Sequence, residues 1–462
     1  MITQNRKKAP RLTLIAVSVL CLASAAGATP PTPDLSTRAV FELVSETPAA
    51  FAQSWNRRCA QARSRDRLER AAFRAQCARG FIDYAYFHWR ETGESVPDRW
   101  RPLDRAVARV ERNNAALLER QEQREFLDSW LRYEARQLLA TNPELQTGDN
   151  RWLRARFQVV EASIANNDVR RFLLSTALAQ HIDENDARGV PQLIDRFAAL
   201  TEAPESEVAR LRTAAQEDLA LRDGHRIETY KTVDGVALEL HIQSTAGSDA
   251  NARPALLWFH GGSWATGSWA QCPVFCRIAR EQGYVTIQVD FRTADRFNAL
   301  PADAIVDARD ALAFVRAHAD ELGVDRNRIV VAGFSSGGSI ASFLATSSPP
   351  QAVAGALLVS ACTVPLHDAW FLRSVIGDPA DPRWTPAASL DRSDPALLLL
   401  HGTSDEMCEY ADTEGFAAAA GSAHVDAKLV TLEGASHFFV FNNPPARNRA
   451  SEEAAAFLAR WR

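Results

Sequence analysis

Between Leu35 and about Leu221, apolar residues recur at intervals of three and four among Arg, Glu, Ala and Gln, which is the period of an amphipathic helix. Leu103, Val107, Val110 and Leu117 mark one such stripe, and Phe126, Trp130, Tyr133 and Leu138 another. Turn-forming residues gather at Glu91 to Asp98, Thr141 to Asn150, Asn166 to Asp168 and Ala203 to Glu205, and divide the region into roughly six to eight helices. The pattern changes after Gly224. Ile227 to Val233 and Val236 to Ile242 are short β-rich runs joined by Asp234-Gly235, the signature of a hairpin. Continuous apolar runs follow at Ala255 to Phe259, Tyr284 to Val289, Ile329 to Ala332, Ala354 to Ser360, Ala396 to Leu400 and Ala427 to Leu432, separated by helical segments. Strands apolar on both faces and alternating with helices predict a mostly parallel sheet with helices on both faces. The chain therefore reads as an all-helical domain over residues 35–221 followed by an α/β domain over residues 225–462.

The first 28 residues stand apart from both. Arg6, Lys7, Lys8 and Arg11 precede an apolar run from Leu12 to Ala26 that ends in Ala26-Gly27-Ala28, which reads as a secretory signal peptide cut after Ala28. The run is shorter than the roughly 20 residues a spanning helix needs, and Pro30, Pro31 and Pro33 follow at once. An exported protein, periplasmic or secreted, with no membrane span after processing is the expectation. Leu20 precedes Cys21 where a lipoprotein signal wants a small residue, so no lipidation is expected. With 46% hydrophobic and 24% charged residues the composition is that of a globular protein. The net charge of −5, more negative once the basic leader is gone, offers nothing to nucleic acid or an anionic membrane.

Cys59, Cys77, Cys272, Cys276, Cys362 and Cys408 remain after the leader. An even number in an exported chain allows up to three disulfides, and neighbourhood in sequence pairs 59 with 77, 272 with 276 and 362 with 408. Buried free thiols are the other reading, and both stand at this point. No pair has CxxC spacing or a nearby His at ligand spacing, so no metal is expected.

Gly333-Phe334-Ser335-Ser336-Gly337-Gly338 follows the strand Ile329 to Ala332 and opens the helical run Ser339 to Ala345. That context is a nucleophile elbow, in which a sharp turn lifts the Ser335 hydroxyl clear of the sheet. A phosphate-binding turn would want Lys and Thr after the glycines, and Ser339-Ile340 stand there instead. Serine needs a base, and the base an acid, in the chain order Ser, Asp or Glu, His. His437 lies in the loop past the strand Ala427 to Leu432, whereas His424 precedes that strand. Asp405 follows the strand Ala396 to Leu400 and the turn His401-Gly402-Thr403-Ser404. Glu406 is the runner-up, and Asp378 or Asp394 would imply an unusual layout. His260-Gly261-Gly262-Ser263 follows the strand Ala255 to Phe259, where backbone donors for an oxyanion belong. The N–H groups of Gly262 and of either Gly261 or Ser263, together with that of Ser336, are the expected donors. His260 itself reads as structural. Trp264, Phe334 and the segment Ala361 to Pro395, with His367, Trp370, Phe371 and Trp384, are candidates for the walls or lid of a substrate pocket.

His260 to Trp264, Gly333 to Gly338, His401 to Asp405, Gly434 to His437 and the stretch Asp307 to Gly338 together resemble the hormone-sensitive-lipase-like esterases and related feruloyl and acetyl esterases. The resemblance covers only the C-terminal half. It implies an α/β-hydrolase fold, hydrolysis of a small-molecule carboxylic ester through an acyl-enzyme, the triad Ser335, Asp405 and His437, and no cofactor. The chain departs from many members in having Asp290-Phe291-Arg292 where they place a Tyr-Arg pair, and Ser263 where they carry a third glycine. The same chemistry serves an amide or peptide bond, so a serine peptidase or amidase of this fold is the nearest alternative. A different class of reading makes the helical domain a module that docks a protein partner or polymer, with the hydrolase as its cargo.

Overall fold

The computed structural model describes residues 34–462 apart from 63, 65, 93, 98, 99, 245–251 and 376–383; the signal segment 1–28 and Asp378 lie outside the described residues. The helical region comprises α1 (Thr37–Phe41), α2 (Pro48–Gln61), α3 (Arg67–Thr92), α4 (Arg101–Ala108), α5 (Gln121–Thr141), α6 (Arg151–Ser163), α7 (Asn167–Glu184), α8 (Val190–Thr201) and α9 (Glu205–Ala220). These are nine α-helices among the described residues, more than the roughly six to eight that periodicity suggests. The surplus lies in short elements: α1 has 5 residues and α4 has 8, too few turns for a period to register. The apolar stripe of α5 is Phe126, Leu127, Trp130, Leu131, Ala135 and Leu139, all buried in one core to which the other long helices contribute. Asn166 caps α7 by accepting the Val169 N–H at 3.1 Å, which is why the chain turns there.

The C-terminal half builds one eight-stranded sheet from β1 (Arg226–Val233), β2 (Val236–Gln243), β3 (Arg253–Phe259), β4 (Val285–Val289), β5 (Val324–Phe334), β6 (Gly355–Val359), β7 (Ala396–Gly402) and β8 (Ala427–Leu432), in the order β1-β2-β4-β3-β5-β6-β7-β8. β1 and β2 pair antiparallel through the hairpin at Asp234-Gly235, β2 pairs antiparallel with β4, and the remaining pairs are parallel. This is the expected α/β-hydrolase fold. Side chains alternate between two cores. The helices of this half are α10 (Val274–Glu281), α11 (Ala294–Phe297), α12 (Pro301–Ala317), α13 (Ser336–Ser347), α14 (Ala369–Ser374), α15 (Tyr410–Ser422), α16 (Phe439–Asn442) and α17 (Pro444–Leu458). Leu257, Val331, Leu358 and Leu399 face α12 and α13, while Leu256, Val330, Leu357 and Leu398 face α10 and α17. Burial on both faces accounts for the unbroken apolar runs in the central strands. Edge strand β1 lacks such a run and carries no buried residue.

The two regions meet along a polar seam. Arg151 at the start of α6 pairs with Asp234 of the hairpin at 2.5 Å, and Asn185 forms a parallel bridge with Gly267 in the loop after β3. No helix among the described residues is long and apolar enough to cross a membrane.

Candidate active site

Ser335 occupies the turn between β5 and α13 with φ 56° and ψ −123°, a conformation that costs a non-glycine residue about 1–3 kcal/mol. Two backbone bonds hold it there: Ser335 N–H donates to the Val359 carbonyl at 2.9 Å, and its own carbonyl accepts from Ser339 N–H at 3.0 Å. The helix starts so close to β3 that a Cβ on Gly337 would overlap the Phe259 carbonyl, so this position admits only glycine. The hydroxyl is thereby presented at the carboxyl edge of the parallel strands, where ligands of such sheets bind.

His437, in the loop after β8, sets Nε2 at 2.9 Å from Ser335 Oγ and Nδ1 at 2.8 Å from Asp405 Oδ2. All three side chains are buried. An ionised carboxylate only accepts, so the imidazole proton sits on Nδ1 and Nε2 is free to receive the hydroxyl proton. Asp405 Oδ1 accepts the Met407 and Cys408 N–H groups, each at 2.9 Å, and Oδ2 also lies 3.1 Å from His401 Nε2. Burial alone would raise the Asp405 pKa. Hydrogen bonds from His401 and His437 outweigh it and hold the carboxyl well below the usual carboxylate range. The runner-up Glu406 is exposed, and Asp394 is occupied in its own turn, accepting the Asp391 N–H at 2.8 Å.

The loop after β3 runs against this constellation. A Cβ on Gly261 would stand 3.2 Å from Ser335 Cβ, and the Gly261 carbonyl lies 2.7 Å from His260 Nδ1. The Gly262 carbonyl turns away to accept the Ala265 and Thr266 N–H groups. Among the described residues, the N–H groups of Gly261, Gly262, Ser263 and Ser336 meet no protein acceptor, as donors kept for a ligand must, so both Gly261 and Ser263 stay available beside Gly262. Gly262, Ser263 and Trp264 all take positive φ, at 122°, 52° and 66°, so the loop is held in an unusual conformation. His260 is buried, stacks on Phe291 at 4.2 Å and has its pKa pushed down to about 4 by burial, which keeps it neutral scaffolding.

Aromatic rings gather in two clusters, one of them against His437. Trp264 packs 5.4 Å from Phe371, itself fully buried against Phe343 and Trp384, so these aromatics of the segment Ala361 to Pro395 pack as a wall. Exposed His367 lies 2.9 Å from Asp412 instead. Phe334 lies 5.1 Å from the His437 ring and touches Phe438 and Phe441, which are 46% and 54% exposed. Phe441 edges an open groove of about 730 Å³ between α10 and α17.

Two buried residues escaped the sequence reading. His401, at the end of β7, lies 2.9 Å from the Cys408 carbonyl through Nε2, the same atom that faces Asp405, and 3.0 Å from Thr413 Oγ1 through Nδ1. Both partners of Nε2 are acceptors, so the proton is there. Ser360, just past β6 with φ 43°, donates its hydroxyl to the His437 carbonyl at 3.0 Å. The only signal in sequence for either was a polar residue ending a buried strand.

The BD-FAE family model matches residues 240–360. Over 240 residues the chain is 29% identical to an ethyl acetate hydrolase of Pseudomonas putida, covering 45% of this chain and 73% of that one. Over 207 residues it is 27% identical to the carboxylic ester hydrolase LipN of Mycobacterium tuberculosis, covering 38% of this chain and 54% of that one. The apo form of Thermogutta terrifontis esterase 2 is 30% identical and aligns with 52% of this chain and 95% of its own, at a TM-score of 0.48. These relatives correspond to the C-terminal half.

Proposed function

We infer that this chain, whose C-terminal half belongs to the α/β-hydrolase superfamily of esterases and lipases, hydrolyses small carboxylic esters through an acyl-enzyme formed on Ser335. The observation that carries the reading is the continuous hydrogen-bond chain from Ser335 Oγ to His437 Nε2, 2.9 Å, and from His437 Nδ1 to Asp405 Oδ2, 2.8 Å. Ser335 Oγ attacks the ester carbonyl as His437 Nε2 takes its proton, and Asp405 stabilises the imidazolium. The carbonyl oxygen gains the charge and turns toward the N–H groups of Gly262, of Gly261 or Ser263, and of Ser336; losing one such donor costs about 10² to 10³ in rate. Collapse breaks the bond to the alcohol oxygen, which receives the proton from His437 and leaves. Water then attacks the acyl-serine, giving its proton to His437, and the carboxylic acid departs with Ser335 restored. The alcohol leaves on the His437 side, where Phe334, Phe438 and Phe441 stand beside the imidazole.

Export belongs to the same reading. The basic and apolar leader to Ala28 supports it, as do three cysteine pairs whose Cα atoms stand 5.9, 5.9 and 4.8 Å apart, within the span of a disulfide. The test is hydrolysis of p-nitrophenyl esters from acetate to laurate by the mature protein and by Ser335→Ala. Turnover of the short chains by the wild type, and a fall of roughly 10⁴-fold or more in kcat for the variant, are expected. A wild type inert toward every ester, or a variant as fast as the wild type, overturns the reading.

A further inference from the structure

We propose that the turn between α7 and α8, residues 185–189, forms the outer support of the oxyanion loop, and that Asp186 and Arg188 are positioning residues for the Gly262 and Ser263 donors. This rests on the esterase reading of the same site. On its inner side, the loop after β3 folds back on itself. A Cβ on Gly262 would overlap the Thr266 carbonyl, and a Cβ on Gly267 would overlap the His260 ring and the Gly261 carbonyl, so the two limbs of the loop lie in direct contact. On its outer side, Gly267 N–H donates to the Glu184 carbonyl at 2.7 Å and forms the bridge to Asn185. Trp269 Nε1–H, two residues on, donates to Asp186 Oδ2 at 2.9 Å, while the Trp269 carbonyl accepts Gln288 Nε2–H of β4 at 3.0 Å. The helical turn, Gly267 and the His260 to Gly262 segment are thus stacked in succession, and the outer limb cannot retreat while Glu184 and Asp186 stay in place.

What keeps the turn in place is charge. Arg188 reaches from it to Asp290 Oδ2 at 2.5 Å, Glu239 Oε2 at 3.0 Å and Asp186 Oδ2 at 3.1 Å. Asp290, the residue after β4, binds Arg296 through its other oxygen at 2.6 Å, and Arg296 pairs with Asp149 of the helical region at 2.8 Å. Arg296, Asp290 and Asp186 are each about 1% exposed. Desolvated pairs of this kind are weak evidence for stability, because removing charge from water offsets most of the attraction. Their geometry is nonetheless narrow, and a guanidinium shared among three carboxylates tolerates little displacement. The network therefore fixes position more than it adds stability, and what it positions is a loop held at positive φ.

The experiment uses the full mature chain in Arg188→Met, Arg188→Lys and Trp269→Phe. The last keeps a ring stacked on His241 and removes one donor, so it stays informative if Arg188→Met fails to fold. Three quantities are read: kcat and KM for p-nitrophenyl butyrate, the affinity of a trifluoromethyl ketone whose adduct places an oxyanion in the hole, and deuterium uptake by the peptide 259–269. Arg188→Met and Trp269→Phe are expected to lower kcat by roughly ten- to a hundred-fold with KM within about threefold, since a small misplacement of donors acts on the transition state. Ketone affinity falls by the same factor as kcat/KM, the peptide exchanges faster, and Arg188→Lys, which keeps the charge but not the fork that spans three carboxylates, recovers only part of the loss. Unchanged exchange and ketone affinity alongside a lowered melting temperature would reduce these residues to ordinary interface contacts and overturn the proposal. A wild type that cleaves no ester overturns the esterase reading alone, because exchange of 259–269 still reports whether the turn holds the loop.

Discussion

Asp405 accepts four hydrogen bonds, and only one of them comes from the base it orients. His401 supplies another and at the same time satisfies the Cys408 carbonyl, so it fixes both the carboxylate and the turn that carries it. His401→Phe keeps a ring in the site but strands two buried acceptors, at a cost of about 1–3 kcal/mol. The expected outcome is a kcat lower by about tenfold with KM unchanged and a lower urea midpoint; His401→Gln, which retains an N–H, recovers part of both. Steady-state kinetics on p-nitrophenyl butyrate beside urea titrations check this, and an unaltered kcat would remove His401 from the positioning of Asp405. Ser335, Asp405 and His437 were legible because chain order and position after a strand specify them in one dimension. His401 and Ser360 were not, because their parts are defined by partners across neighbouring strands: Ser360 touches a histidine in the loop after β8.

At the scale of elements, the central strands were readable because burial on both faces leaves an unbroken apolar run. Their ends were not. β5 begins at Val324, before the run at Ile329, because Asp325 to Arg328 stay partly or fully exposed and break the apolar pattern while the backbone continues as strand. The turn 185–189 also passed unmarked inside a helical stretch, although Asn185, Asp186 and Gly189 are turn formers, and Gly189 adopts φ 75° there. The loops after β6 and β7 approach each other at Cys362 and Cys408, whose Cα atoms stand 4.8 Å apart, and Cys408 N–H is one of the donors to Asp405. A disulfide between them would restrict the unfolded chain over a separation of 46 residues. In the oxidised mature protein, thiol titration under denaturant is expected to find no free thiol. Replacing both cysteines with Ala should cost about 2–4 kcal/mol in a urea titration. Recovery of two or more free thiols from the untreated protein would contradict the bridged state.

At the scale of the whole molecule, the seam between the helical region and the sheet is where sequence reading fails most completely. Asp149, Arg188, Asp290 and Arg296 look in sequence like charges on solvated surfaces, and only the fold brings them together, with Asp290 and Arg296 buried and Asp149 and Arg188 largely covered. Asp290 opens the Asp-Phe-Arg triplet at which the chain departs from the esterases it resembles, and its two arginine partners give that departure a physical reason. The seam also buries histidines. Burial pushes His181 down to about 3 and His241 to about 2, and nearby His260 to about 4, whereas all three titrate near 6.5 in an unfolded chain. From pH 6.5 down toward those values the unfolded state binds more protons at them than the folded one, so their contribution to stability falls as pH falls across that window. Asp218, pushed up to about 6 chiefly by burial, gains a proton in the folded state and runs the other way. So do the carboxyls of Asp83, Asp295 and Asp394, which burial also raises, while His225, lowered by burial, adds to the histidines' side. Urea midpoints measured from pH 7 to pH 5 in the wild type and in His241→Gln should show the variant losing less stability, or gaining more, on acidification, because it lacks one imidazole that must be kept neutral. Identical pH slopes for the wild type and His241→Gln would mean that the His241 imidazole reaches solvent, and that the seam opens in solution.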